Sequence, residues 1–445
     1  MTVKYLLTAL ILILLTACVY AQQSQGITLE QAKKMALEQN FPLLIQREKI
    51  VENQEKVKEA KSKRYPILLA TGNYAYNGVS NDVTLRKGSF GNYQASNILV
   101  PEKDITLLKS KHNLYSFGGL AVQPITDQGK INAGIKVAGA DVDIAHTQAL
   151  QSELQVNQSV EKLYYGSLIA QKREESIKIN IELIKLRLYD VESALSAGKI
   201  DSSVKTGLVA ELADQEEKLL EAANQREDNE GDLAVMMGLP YTATFILNTP
   251  SDALPVVQPV EFYLQSEKSN NLDILLAGQT LQKARYGVLA AKKDFFPSLN
   301  AIGGYSNQSL ISVLPTNNYF LGLMLSWNFM DFGKRKSVLN ERNSQQKQAE
   351  LNLDYSKKRM DNEVFKAYRK VVQSRELLAT SQKALDYRRA DYKLKKDHSD
   401  AGLILPKDLL ETRVALVKAE QDYFSVQLGY RLAITALEIV AGMLK

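Results

Sequence analysis

Hydrophobic and polar positions along this chain follow two periods that alternate. From Thr28 to Arg64, Leu29, Ala32, Ala36, Leu37, Ile50, Val57 and Ala60 recur at spacings of three, four and seven, which predicts one amphipathic helix. Thr28 and Gln31 have the spacing of a capping box, and Pro66 stops the helix, because the residue before proline disfavours helical backbone. The same pattern runs from about Glu261 to Phe295 and stops at Pro297. After each proline the period drops to two. Leu68, Ala70, Gly72, Tyr74 and Tyr76 alternate with Leu69, Thr71, Asn73, Ala75 and Asn77, and Leu299, Ala301, Gly303 and Tyr305 alternate with Asn300, Ile302, Gly304 and Ser306. A second alternating run comes later in each half, weak around Tyr115, Phe117, Gly119 and Ala121, and strong at Tyr319, Leu321, Leu323, Leu325, Trp327 and Phe329. This predicts four strands, near 67–77, 113–126, 298–306 and 319–330. Strands of about ten residues are long enough to cross a bilayer in a tilted barrel. The competing reading is an ordinary antiparallel sheet on a soluble core.

Two stretches without proline, 130–196 and 334–400, predict helices of ~100 Å at 1.5 Å per residue. Helices of that length must pack along one another. Both end at Ala-Gly, where Gly198 and Gly402 suit the left-handed residue that terminates a helix. Shorter helices then return over 203–237 and 406–443, the second with Pro406 in its first turn. Prolines at 240, 250 and 255 mark 239–260 as a linker.

The two halves repeat each other in register. Asp331-Phe332-Gly333-Lys334 lies 204 residues after Asp127-Gln128-Gly129-Lys130. The same offset relates Tyr368 to Tyr164, Ala401-Gly402 to Ala197-Gly198, and Gly442 to Gly238. Upstream the offset is 231, relating Asn271 to Asn40 and Pro297 to Pro66. The chain is expected to be two copies of one unit, 22–238 and 261–445, an organisation that must be settled before any other segment is read. The region 78–110 then reads as a longer surface loop and 306–318 as a shorter one.

Residues 1–21 read as a secretory signal, with Lys4, an apolar run to Leu15 and small residues after it. Val19-Tyr20-Ala21 fits cleavage before Gln22, while Leu15-Thr16-Ala17-Cys18 also resembles a lipobox that would leave Cys18 lipidated. Cys18 is the only cysteine, so a mature chain cut at Gln22 has no disulfide and no cysteine chemistry. A net charge of +5 with acids and bases interspersed points to no particular partner and gives no sign of nucleic acid. His112, His146 and His398 lack metal-ligand spacing, and no nucleophilic triad or phosphate-binding loop is visible. Neither enzyme chemistry, nor a cofactor, nor a metal is expected.

The duplicated order of helix, strand pair, long helix, glycine and helix resembles the TolC-type outer-membrane efflux proteins. So do the strand ends Gln123 to Lys130 and Trp327 to Lys334. The resemblance implies a mainly α fold with a small β part, and a homotrimer whose 12-stranded outer-membrane β-barrel continues into a periplasmic α-helical barrel. It implies partners as well: a periplasmic adaptor, an inner-membrane pump and outer-membrane lipid in a Gram-negative cell. The function implied is a passive exit duct in tripartite efflux or type I secretion. Asp408 and Glu411 match the carboxylates that line the family's tunnel entrance, although Ile404 and Ser399 stand where some members carry locking arginine and tyrosine. A solvated helix start would favour acids there too. Leu321, Leu323 and Leu325 are expected to face lipid, and Trp327 to sit at the membrane interface. The alternative is a periplasmic coiled-coil scaffold or adaptor that never inserts in a membrane.

Overall fold

The computed structural model describes residues 26–79, 81–93, 98–250, 254–310 and 314–444. The expected signal segment and Cys18 lie outside the described residues. In chain order the first half forms α1 (Leu29–Gln39), α2 (Phe41–Ser62), β1 (Ile67–Tyr76), β2 (Val83–Leu85), β3 (Asn92–Tyr93), β4 (Ile98–Leu99) and β5 (Ile105–Leu108). It continues with β6 (Asn113–Pro124), α3 (Gln128–Ser196) and α4 (Ser202–Met236). The second half forms α5 (Val260–Asn270), α6 (Leu272–Lys293), β7 (Ser298–Gln308), β8 (Asn317–Ser326), α7 (Lys334–Asp400) and α8 (Pro406–Val440).

Three expectations need correction. The single helix expected over 28–64 is two, because Asn40 turns extended and its side-chain oxygen accepts from the Leu43 amide at 3.3 Å, starting α2 afresh. Asn271 does the same in the second half, accepting from the amides of Asp273 and Ile274 at 2.9 and 3.2 Å. Next, the loop at 78–110 holds two small antiparallel ladders, β2 with β5 and β3 with β4. Finally, β8 stops at Ser326 rather than 330. Phe332 and Gly333 take positive φ angles of 52° and 91° there, and Asp331 caps the next helix by accepting from the amides of Gly333 and Arg335.

The chain divides into two compact units, each drawing on both halves. One comprises Met1–Ile50, Ala145–Gly278 and Asn352–Lys445. Its core has two large clusters and a small third of Ile177, Ile181 and Ala222. Ala32, Ala36, Leu43, Val160, Tyr164 and Leu233 form the first; Tyr263, Val364, Val371, Tyr430, Ile434 and Leu437 form the second. Tyr164 ties the residue before α1 to the linker after α4: its hydroxyl proton is shared between the carbonyls of Ile27 (2.8 Å) and Asn248 (2.6 Å), beside the parallel bridge Ile27–Leu247. Burial pushes this phenol up to about 12. The ends of the return helices meet the Asn breaks. The chain at Gly238 packs on Gln39, and that at Gly442 on the Asn270–Asn271 backbone, so closely that an added Cβ would lie 2.4 and 2.6 Å from them.

The other unit, Val51–Ile144 and Gln279–Leu351, carries the sheet. Its strands run antiparallel in the order β1-β6-β7-β8, with β1 and β8 paired on one side only among the described residues. Ion pairs Lys283–Asp141 (2.6 Å) and Lys130–Asp294 (2.5 Å) join the helices beneath it.

Candidate functional site

The four long strands contain no Asp, Glu, Lys or Arg, in a chain where these make up 24% of residues. Excluding charge from every strand is hard to explain on a wetted surface and natural in hydrocarbon, where each lysine or arginine costs about 2–4 kcal/mol. Along β8 the alternate side chains Leu321, Leu323 and Leu325 are 89%, 68% and 67% exposed, and Met324 on the opposite face is 45% exposed. The predicted leucine stripe therefore exists on one face. Trp327 lies just past the strand, exposed, with its ring 6.5 Å from that of Phe329. The absence of charge from these strands is legible in the sequence itself.

The hairpin tips belong to the other unit. At the first, the Gly198 amide donates to Leu195 and the Lys199 amide to Ala194; at the second, Gly402 donates to Ser399 and Leu403 to His398. Both glycines have the positive φ, 68° and 73°, that this Schellman closure requires. The tips differ beyond the glycine. Asp201 caps α4 by accepting from the Ser203 amide at 2.8 Å, and hydrogen bonding to Ser203 holds its carboxyl below the usual range. Lys205 pairs with Glu192 across the same hairpin at 2.9 Å. At the second tip Leu405 gives no side-chain cap and Pro406 comes next. Asp408 lies in the first turn of α8, and Glu411 is one turn further on. Glu411 pairs with Arg187 of α3 at 2.8 Å, so the second hairpin is tied to the first. Arg187 was missed in the sequence, since no spacing links it to Glu411.

Among the described residues no cluster could hold a metal ion. His112 is occupied by the loop: its Nδ1 donates to the Asn77 carbonyl at 2.8 Å and its ring stacks on Tyr76. No described helix is long and apolar enough to cross a membrane.

The sequence matches the family described as Outer membrane efflux protein over residues 33–239 and 263–443. The chain belongs to the outer membrane efflux protein family. No curated protein matches it in sequence. Solved structures of outer membrane proteins share its fold at low identity. The Campylobacter jejuni CmeC outer membrane channel is 15% identical with a TM-score of 0.74, over 93% of this chain and 85% of that one. VceC from Vibrio cholerae is 14% identical with a TM-score of 0.70, over 93% and 96%. The Neisseria gonorrhoeae MtrE channel in its open state is 16% identical with a TM-score of 0.70, over 93% and 88%. The fold is thus the mainly helical TolC type with a small sheet, and CmeC and MtrE are described as outer membrane channels.

Proposed function

We propose that this efflux-family chain is the outer-membrane exit duct of a tripartite efflux or type I secretion system. Three copies would close one barrel and work with a periplasmic adaptor and an inner-membrane pump. The observation that carries the reading is the charge-free four-stranded sheet, with an edge on each side that is unpaired among the described residues. Four strands are too few for a membrane barrel, which needs at least eight, and bare edges invite pairing with further copies. Large apolar side chains exposed along α7, among them Phe365, Leu377 and Tyr387, fit the same assembly. A scaffold that stays out of the membrane has no use for such strands.

Asp408 and Glu411 are assigned to the tunnel entrance. In a trimer they would ring the axis, with Glu411 held in part by Arg187. At 44% and 37% side-chain exposure that pair contributes only about 0–1 kcal/mol and weakens with salt, as suits a contact that must open.

Native mass spectrometry of the purified protein should show a trimer. Leu323→Arg should cost about 2–4 kcal/mol and block assembly, while Met324→Arg is better tolerated. A monomer, or equal tolerance at both positions, would favour the scaffold reading.

A further inference from the structure

The antiparallel register brings the start of β1, the end of β6, the start of β7 and the end of β8 to one edge of the sheet. Charge returns abruptly there. Residues 59–66, 127–130, 292–296 and 331–336 hold nine Lys and Arg against four Asp and Glu, an excess as large as the +5 of the whole chain. The acids are engaged within the collar. Asp331 binds Arg335 at 2.6 Å, Asp294 binds Lys130, Glu59 lies 3.5 Å from Lys63, and Asp127 accepts from the Ser298 hydroxyl at 2.8 Å. Lys61, Lys292, Lys334 and Lys336 are exposed and have no acidic partner among the described residues.

Aromatic rings stand among these cations. Tyr65 and Phe296 occupy the same position in the two halves, just before the strand prolines, and both are exposed. Phe332 is the one described residue other than glycine with positive φ, and it is 93% exposed. A bulky residue in that backbone region is strained by about 1–3 kcal/mol, and here its ring is set outward into solvent. Lys293 lies over the Phe296 ring, 5.4 Å from its centre. Together with Lys130, Thr126 and Pro297 they bound a hollow of 290 Å³.

We propose that this collar binds the anionic headgroups of phospholipids in the leaflet facing the helices. Aromatic rings would enter at headgroup depth, and the four unpartnered lysines would neutralise phosphate. The inference rests on the barrel reading above for the position of the bilayer. It adds that the chain selects lipid by charge.

The test uses full-length protein titrated with short-chain phosphatidylglycerol or phosphatidylcholine, with bound lipid counted by native mass spectrometry. The wild type should prefer phosphatidylglycerol by at least about ten-fold, given on the order of five-fold per lysine near an anionic surface. Lys61→Gln/Lys292→Gln/Lys334→Gln/Lys336→Gln should erase the preference while single-channel conductance stays unchanged. Lost conductance in the wild type would count against the duct and not against this site. Should the quadruple variant not fold, Lys334→Gln/Lys336→Gln should lose about half the preference on a logarithmic scale. Preference retained in the variant, equal binding of both lipids, displacement by inorganic phosphate at matched ionic strength, or dissociation of the variant into single chains would each overturn the proposal.

Discussion

The offset of 231 that relates Asn40 to Asn271 sets Ala36 against Glu267, and the offset of 204 sets Asn157 against Asp361. Ala36 is fully buried in the first core cluster beside Val160 and Tyr164. Glu267 is just as buried, 1% exposed, but neither carboxylate oxygen has a hydrogen-bond partner. One fold thus tolerates a methyl group or a carboxylate at equivalent places. The fold therefore does not require the acid, and at this position the second half carries a desolvation cost that the first half lacks. The tips differ as well: the first is capped by Asp201 and closed by its own ion pair, while the second lacks a side-chain cap and leans on Arg187.

The largest effect is expected when the first half is given the second half's residue. Ala36→Glu should cost about 3–5 kcal/mol, the range for an uncompensated buried charge, read as a fall in the urea midpoint. A loss below about 1 kcal/mol, the size of an ordinary substitution, would show that the two environments are alike. The acid of the second half reads out in pH. Burial pushes the Glu267 carboxyl up, Asp361 adds to this and Lys268 opposes it. From α8, the cluster around Tyr263 presents Tyr430, Ile434 and Leu437. The native state holds this proton more tightly than the unfolded chain. Its contribution is therefore complete below the ordinary glutamate value of about 4.3 and is lost as pH rises through the raised native value. Glu267→Gln should flatten that fall, raising stability at pH 8 relative to wild type more than at pH 4. Parallel stability curves would remove the acid from the account.

The helix junctions allow a finer comparison. An added Cβ at Gly442 would meet backbone atoms of Asn270 and Asn271, whereas at Gly238 it would meet chiefly the Gln39 side chain. Both glycines have positive φ, so alanine is strained at either. Gly442→Ala should cost about 2–3 kcal/mol and Gly238→Ala less, as thermal unfolding would show. Equal costs would mean that Gln39 yields no better than backbone.

These junctions also show what the sequence could reveal. The landmarks Gly198, Gly402, Gly238 and Gly442 were legible because each closes a helix by the same backbone hydrogen bonds, which demand a positive φ. The breaks at Asn40 and Asn271 were not read, since an asparagine inside a periodic run looks like a polar surface position. Pro42, in the first turn of α2, was the available hint. The leucine stripe of β8 followed from alternation, whereas Trp327, read as part of the same run, lies just past the strand. The Arg187–Glu411 pair did not, because it joins helices from different halves. Nor did the end of β8, which depends on the cap that Asp331 makes and on the backbone of Phe332.

Smaller effects concern the tips. Asp201→Ala should speed hydrogen exchange in the first turn of α4, and because the cap holds the carboxyl low, the same fraying should appear in wild type only at acid pH. Leu405→Asp should supply the missing cap and gain about 1 kcal/mol in α8. No change at either site would mean that the tips are equally secure.

The most direct test of the whole account is single-channel recording of the purified protein in planar bilayers, with the Arg187–Glu411 contact intact and then cut by Arg187→Gln. An exit duct whose second hairpin is its movable part should give conductance steps in both proteins, with larger or longer-lived openings in the variant. Protein that assembles but shows no steps would contradict the duct, and identical openings in the two would contradict the role given to the second hairpin.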